Sequence, residues 1–157
     1  MRIIGIDPGT AIVGYGIIDF EGGECTLVAS GSIQTAKEKS DSERLCEIDN
    51  DLTFIINKYK PDMASVEKLF FFKNQKTIIP VAQGRGVILT CLAKAGIKIY
   101  EYTPLQIKLA ITGYGKSAKI DVAEMVKKMI KYDVFPKLDD TADAIAIAVC
   151  HIRSGEV

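Results

Sequence analysis

The sequence contains no tryptophan and a single histidine, and its four cysteines stand far apart with no Cys-x-x-Cys pair. A zinc site, which needs clustered cysteine or histidine ligands, is therefore not expected. No apolar run approaches the roughly 18 residues of a membrane span, and the amino-terminal apolar run meets Asp7 too early for a signal peptide. These features predict a cytoplasmic protein with reduced thiols and no membrane segment.

Length and composition are those of one folded domain over residues 1–157, since 48% of the residues are hydrophobic and 25% are charged. The net charge is zero, but its distribution is uneven. Residues 1–50 carry 4 basic and 9 acidic side chains, whereas the stretch from Lys68 to Lys137 carries 13 lysines and arginines against four acids. This asymmetry indicates a polyanion partner for the second half. The alternative is a solvated helical surface, where lysines are common.

Hydrophobic periodicity predicts the element order βββαβαβα. After three opening strands, a helix begins with a capping box at Ser40–Glu43 and ends before Pro61. The predicted strands are 2–7, 12–20, 25–33, 62–67 and 97–102, and the later helices are 77–94, a short one before the glycine loop at 113–115, 117–132 and 140–152. This order indicates an α/β domain with a mixed five-stranded sheet flanked by helices.

The last of these segments supports two interpretations. Residues 144–149 alternate between alanine and a β-branched residue, as a half-buried strand does. Alanine is nevertheless the best helix former, and Ala142, Ile145, Val149 and Ile152 make an apolar stripe at helical spacing. We predict a helix.

Four acidic residues are candidates for chemistry. Asp7 and Glu67 each end an apolar strand, and ligands of open α/β sheets gather beyond such strand ends. Asp140 and Asp143 lie three residues apart and therefore share one face of a helix. Any one of them could be a surface residue or a helix cap. Four acids at one spot would repel each other by ~1–4 kcal/mol per close pair, so a cluster would need a hard divalent cation, Mg²⁺ or Mn²⁺.

Several short motifs occur together and in order along the chain. They are Gly5-Ile6-Asp7-Pro8-Gly9-Thr10, Gly14-Tyr15-Gly16, Val66-Glu67-Lys68-Leu69-Phe70, Gln83-Gly84-Arg85-Gly86, Ile107-Lys108, Thr112-Gly113-Tyr114-Gly115, Asp140-Thr141-Ala142-Asp143-Ala144 and His151. With these motifs the chain resembles the RuvC family of bacterial Holliday-junction resolvases, from residue 2 to about residue 153. Each motif is weak or moderate alone, and the collinear set is specific.

The resemblance implies an RNase H-like fold and a homodimer that makes Mg²⁺-dependent, symmetric nicks in four-way junction DNA during recombination and repair. It implies two Mg²⁺ per active site, with Mn²⁺ as a substitute, and the RuvA–RuvB branch-migration complex as a partner. Asp7, Glu67, Asp140 and Asp143 match the family's metal-binding catalytic acids. The residues expected to bind DNA are Lys108 and Lys119 near the scissile phosphate, Lys116, Arg85, and Phe70, which matches an aromatic that contacts bases.

The helix from about Pro80 to Lys94 is the candidate dimer interface. Val81, Ile88, Leu89 and Leu92 form much of an apolar face, and two glycines permit close approach. The alternative is ordinary packing of that face against the sheet.

Other functions fit the sequence less well. The segment Asp7–Thr10 also resembles the first phosphate loop of the actin and sugar-kinase superfamily, but those proteins need two such domains. Gly115-Lys116-Ser117 resembles the end of a P-loop, but Ala110 stands where the motif needs glycine. A junction-binding module without catalysis remains an alternative, although it would not need four acids. His151 is either a catalytic residue or a satisfied polar residue of the last helix.

Overall fold

The computed structural model describes residues 1–9, 11–68, 75–137 and 139–155, with the backbone alone at 75–77. These residues form six strands and five helices. Along the chain they are β1 (Arg2–Asp7), β2 (Ile12–Glu21), β3 (Glu24–Gln34), α1 (Asp41–Tyr59), β4 (Met63–Glu67), α2 (Gln75–Lys94), β5 (Lys98–Tyr102), α3 (Pro104–Thr112), α4 (Lys119–Met129), β6 (Ile130–Lys131) and α5 (Asp139–Ser154).

The strands form one mixed sheet in the order β5-β4-β1-β2-β3-β6. The first three strands are antiparallel, and the turn between β2 and β3 consists of Gly22 and Gly23, both with positive φ as a tight hairpin requires. β4 pairs parallel with β1, and β5 pairs parallel with β4. The predicted α/β fold with a mixed sheet is therefore confirmed.

The predicted number of five strands is wrong by one short strand. β6 has two residues and pairs parallel with Cys25 and Thr26 at the edge of the sheet. It lies inside the segment that helical periodicity assigned to residues 117–132, because two residues are too few to leave a pattern of alternation.

Helices cover both faces of the sheet and enclose two separate cores. One core joins Ile4 and Ile6 of β1 to buried residues of α1 and α2. The other joins Ile3 of β1 to α3, α4 and α5. Successive residues of β1 thus point to opposite faces, as the pleat of a strand requires. No helix among the described residues combines the length and the apolar character needed to cross a membrane.

The helix α2 differs from its prediction in two ways. It begins at Gln75, so Pro80 stands inside it rather than in its first turn. Ile88 and Leu92, predicted for a dimer interface, are 0% exposed because they pack into the core against the sheet. The face of α2 that remains exposed carries no charged residue from position 79 to 93: Ile79, Ala82, Gln83, Gly86, Thr90 and Ala93.

The last segment is helical, as predicted, and α5 lies unusually close to β1 and β2. A Cβ atom at Gly14 would stand 2.1 Å from the carbonyl oxygen of Asp140, and one at Gly5 would stand 2.1 Å from that of Ala144. Neither distance is possible for real atoms, so only glycine permits this approach. The amino-terminal turn of α5 is thereby held against the sheet next to the end of β1.

Candidate active site

Two acids stand side by side at the carboxyl ends of β1 and β4. Ile6 pairs with Val66 in the parallel register, so Asp7 and Glu67 follow at the same level of neighbouring strands. Both side chains lie on the face that α5 covers, since their neighbours Ile6 and Val66 belong to the opposite core. The two carboxyl groups are close enough that each affects the protonation of the other.

The first turns of α5 add two further acids. Asp140 and Asp143 are both partly exposed, and the charge of each reaches Asp7. Their position follows from the close packing at Gly14, which fixes the backbone of Asp140 against β2. The four acids expected from the sequence are thus brought to one end of the sheet.

The acids are crowded enough to change their protonation. Burial is the largest cause that raises the pKa of Asp7 to about 8, and repulsion by the other three carboxylates adds to it. Burial also raises the pKa of Glu67, and repulsion by Asp143 contributes. Negative charge is therefore unfavourable here unless a cation accompanies it.

Lys119 is a cation that the chain itself brings to the cluster. It is the first residue of α4, and its Nζ donates a hydrogen bond to Oδ2 of Asp143 at 2.5 Å. That bond is the main cause that raises the pKa of Lys119. The Lys119 side chain is otherwise 73% exposed, so its ammonium can be reached from solvent.

The acids offer only carboxylate oxygens as ligands. Hard divalent cations such as Mg²⁺ and Mn²⁺ prefer this donor set, and a bound cation would offset the repulsion that helps to raise the pKa of Asp7. Within the described ranges, no three His, Cys, Asp or Glu side chains already stand close enough together to hold a metal ion. The donor chemistry fits a divalent cation, and the side chains would have to converge to bind it.

A cleft of about 290 Å³ opens over the acids. Asp7, Glu67 and Asp143 line it together with Lys108 of α3 and Lys119 of α4, over an apolar floor that includes Ile107 and Val122. The cleft thus combines acids at its base with two lysines, a pattern that suits a phosphate ester held above a metal site.

The other residues expected to bind DNA are placed differently. Lys116 is exposed in the turn between α3 and α4 and lies outside the set that lines the cleft. Arg85 is turned into the protein, where its guanidinium forms an ion pair with Glu101 and its side chain is 18% exposed. Its role in DNA binding stays a prediction. Phe70, with Phe71 and Phe72, lies outside the described residues.

His151 is part of the core rather than of the cleft. It is 0% exposed, and its Nδ1 forms a hydrogen bond of 2.7 Å with the hydroxyl of Tyr102. Its ring also packs against Tyr100 at a centroid distance of 4.1 Å. Of the two interpretations offered by the sequence, this arrangement favours the satisfied polar residue.

Sequence reasoning missed the partner of Arg85 and the purpose of the glycines. Glu101 carries no signal beyond a charge in a short strand, so its pairing with α2 could not be foreseen. The pattern Gly14-Tyr15-Gly16 does carry one, because glycine repeated at a spacing of two in a strand indicates a close approach on that face.

Comparison with known proteins shows which family the chain resembles in sequence. A family model described as crossover junction endodeoxyribonuclease RuvC matches residues 3–151. The chain is 51% identical over 154 residues to the crossover junction endodeoxyribonuclease RuvC of Halothermothrix orenii, with 98% of this chain and 93% of that one covered. It is 50% identical to the protein of the same name from Fusobacterium nucleatum, with 98% and 81% covered.

Solved structures that resemble this chain include structures of the same family. The Thermus thermophilus RuvC structure matches with a TM-score of 0.89 and 30% identity, covering 98% of this chain and 94% of that one. RuvC of the same organism in complex with Holliday junction substrate matches with a TM-score of 0.91, the same identity and the same coverage. The fowlpox virus Holliday junction resolvase, at 20% identity and a TM-score of 0.62 with 98% and 99% covered, shares the fold. The expected RNase H-like fold is confirmed.

Proposed function

The chain belongs to the RuvC family of crossover junction endodeoxyribonucleases, and on that premise we propose that it resolves Holliday junctions by paired, symmetric nicks. The observation that supports the proposal is the cleft, whose lining combines three acids with two lysines. The acids are Asp7 and Glu67 at the ends of strands and Asp143 in α5, and the lysines are Lys108 and Lys119. Such a cleft can hold a phosphodiester between a metal site and fixed positive charges.

The four acids would hold the metal. We propose that Asp7, Glu67, Asp140 and Asp143 bind two Mg²⁺ ions, for which Mn²⁺ can substitute. When bound, such cations supply Lewis acidity, which makes water a better nucleophile and stabilises the leaving oxygen. The chain's own part is to present the carboxylates ionised, so the proton that the raised pKa of Asp7 favours would be released when a cation binds.

The lysines would hold the DNA backbone. Lys108 and Lys119 reach the cleft from α3 and α4, where an ammonium can bind the scissile phosphate and stabilise charge as it develops. Lys116, exposed between these helices, would bind a neighbouring phosphate without distinguishing bases. Phe70 would stack on a base freed from its pair at the junction.

The enzyme would act as a two-fold symmetric dimer. A four-way junction needs one cut in each of two strands of like polarity, and each subunit has one acid cluster. The uncharged exposed face of α2, from Ile79 to Ala93, offers small residues for close packing with a second copy. Ile88 and Leu92 pack into the core between α2 and the sheet, so they would not contact the second copy.

Its setting follows from the family resemblance. We propose that the enzyme acts in the cytoplasm, where the DNA of bacteria lies, and that it works with the RuvA–RuvB branch-migration complex. These proposals depend on the substrate assignment and would be abandoned with it.

The test is cleavage of a synthetic four-way junction in Mg²⁺, with the nicks mapped on all strands. We expect paired nicks at symmetric positions, and light scattering should give a mass near twice 17.2 kDa. A linear duplex carrying the same sequence is the control substrate. Equal cutting of the duplex, or a monomer that makes symmetric nicks, would contradict the proposal.

A further inference from the structure

Behind the end of β4 lies an ion pair on the face of the sheet opposite the acids. Arg85 of α2 pairs with Glu101 of β5, and its Nε donates a hydrogen bond of 3.4 Å to the backbone carbonyl of Glu67. One guanidinium thus connects a helix, an edge strand and the strand that ends in a candidate metal ligand.

The register explains why these groups meet. Val66 pairs with Glu101, so Glu101 stands beside the penultimate residue of β4. Its neighbours Tyr100 and Tyr102 belong to the core under α5, so Glu101 itself points to the α2 side. Arg85 reaches it from that side, while the Glu67 carboxyl group faces the cleft.

The guanidinium is committed to the protein interior. The Arg85 side chain is 18% exposed and that of Glu101 is 34% exposed. Burial lowers the pKa of Arg85, because desolvation disfavours the charged guanidinium. A phosphate could reach it only by breaking these contacts.

We propose that Arg85, held by Glu101, is a positioning residue that fixes the backbone of Glu67 and thereby the direction of its carboxylate. The inference rests on the proposed function, since it assumes that Glu67 binds metal. The register of β4 with β1 ends at the pair Ile6 and Val66, so the backbone carbonyl of Glu67 lies where the parallel ladder stops. On the other side the backbone N–H of Lys68 still donates to the carbonyl of Tyr102 at 2.8 Å. Arg85 supplies a further restraint at the residue where the chain leaves the sheet.

A small displacement of the Glu67 backbone would move its carboxylate and change the affinity for metal. Partners that orient metal ligands typically change metal affinity or activity by about 10- to 100-fold when removed. The contact also connects α2 to the acid cluster. Arg85 belongs to the helix proposed as the dimer interface, and it bonds to the backbone of Glu67, one of the four acids.

The experiment measures metal binding apart from catalysis. Mn²⁺ alone is titrated into the DNA-free protein, and the free Mn²⁺ is followed by electron paramagnetic resonance. We expect Arg85→Ala to raise the Mn²⁺ dissociation constant about 10-fold. The Mg²⁺ concentration for half-maximal single-turnover cleavage should shift with it. Junction binding in EDTA should change by less than about twofold, because no phosphate contact is lost. Arg85→Lys should recover part of the Mn²⁺ affinity.

Arg2→Ala is a matched control. Arg2 also binds a carboxylate and a backbone carbonyl, those of Asp19 and Tyr59, but at the opposite end of the sheet. It should lower stability without moving the Mn²⁺ affinity. Should Arg85→Ala fail to fold, Glu101→Gln weakens the same ion pair while it retains Arg85, and we expect a smaller shift in the same direction.

Several outcomes would overturn the inference. If Arg85→Ala binds Mn²⁺ like the wild type but binds junctions more weakly, with a salt slope reduced by about one, Arg85 contacts DNA instead. If it only lowers the active fraction with an unchanged metal requirement, its role is stability alone. If the Asp7→Asn variant binds Mn²⁺ as tightly as the wild-type protein does, the proposed metal site itself is wrong.

Discussion

The two ends of strand β1 hold acidic side chains in opposite ways. At the amino end, the guanidinium of Arg2 donates to both oxygens of Asp19 at 2.7 and 2.8 Å, and this bond lowers the pKa of Asp19. At the carboxyl end, Asp7 lies half-buried among other carboxylates and its pKa rises to about 8. The whole strand is six residues long, so the paired end and the repelling end stand close together.

The two ends of β1 differ in how ionisation of their acids affects stability. An acid with a lowered pKa adds stability when it is ionised, whereas an acid with a raised pKa costs stability when it is ionised. Acids held at such a cost are typical of functional sites, which makes this cluster a candidate for chemistry. Substitutions at each end of β1 test this difference separately.

The largest effect should come from Asp7→Asn. Removing a ligand charge while keeping the shape should reduce junction cleavage by roughly 10²- to 10³-fold, the range seen when one electrostatic group of an active site is lost. Junction binding should survive or tighten, because less negative charge faces the phosphates. Rates and gel-shift affinities check both parts. Cleavage near the wild-type rate in Mg²⁺ would remove Asp7 from the metal site.

The pH dependence of stability should differ in sign between the two ends. Because the folded state holds the Asp7 proton up to about pH 8 and the unfolded chain releases it near 3.8, the free energy of unfolding should fall as the pH rises between these values. We expect a loss of a few kcal/mol. For Asp19, with its lowered pKa, stability should instead be lost as the pH falls below about 4.

Denaturant titrations from pH 3 to 9 measure these slopes. Asp7→Asn should flatten the decline between pH 4 and 8, and Mg²⁺ should stabilise the wild type more at pH 8 than at pH 5. A wild-type profile that rises through this window would contradict the raised pKa of Asp7.

Arg2→Ala should have a moderate effect on stability alone. Since the ion pair with Asp19 is partly exposed, its loss should cost about 1–2 kcal/mol. Cleavage at saturating Mg²⁺ should stay at the wild-type rate, because the amino end of β1 lies far from the cleft. A matching loss of cleavage would show that the two ends are coupled.

The smallest effect should appear in the salt dependence of binding. Log K for a junction should fall with log salt at about −0.9 per phosphate contact, despite the zero net charge. Lys119→Ala should make this slope shallower by about one contact, and it should also slow cutting. Lys127→Ala is a control on the outer part of α4, where the lysine pairs with Glu124. A flat response in the wild type would argue against binding through phosphates.

Local patterns predicted most of the fold. The capping box at Ser40 and the alanine-rich stripe of α5 both depend on neighbours in sequence, and both are confirmed. The two-residue strand β6 exists because it pairs with β3, which is distant in sequence, and such pairing cannot be predicted from a local pattern. The assignment of Ile88 and Leu92 to a dimer interface was wrong for a related reason: an apolar stripe does not say whether a sheet or a second subunit covers it.

The candidate site was predictable in its acids but less so in its cations. A carboxylate at the end of an apolar strand is conspicuous, which is why Asp7 and Glu67 were found. A lysine or arginine gives no such signal, because its long side chain can turn either way. Lys119 reaches the cleft, whereas Arg85 turns inward to Glu101, and only the structure distinguishes them.

The close seat of α5 on the sheet has a consequence for protein engineering. Gly5 and Gly14 meet main-chain oxygens, so no change of side chain in α5 could make room for a larger residue at either position. The lysines of α3 and α4 are free of that constraint, because they project from helices that do not share the contact. A mutant library that holds both glycines fixed and varies positions 108 and 116 would therefore explore substrate preference while the acids and the contact of Lys119 with Asp143 stay in place.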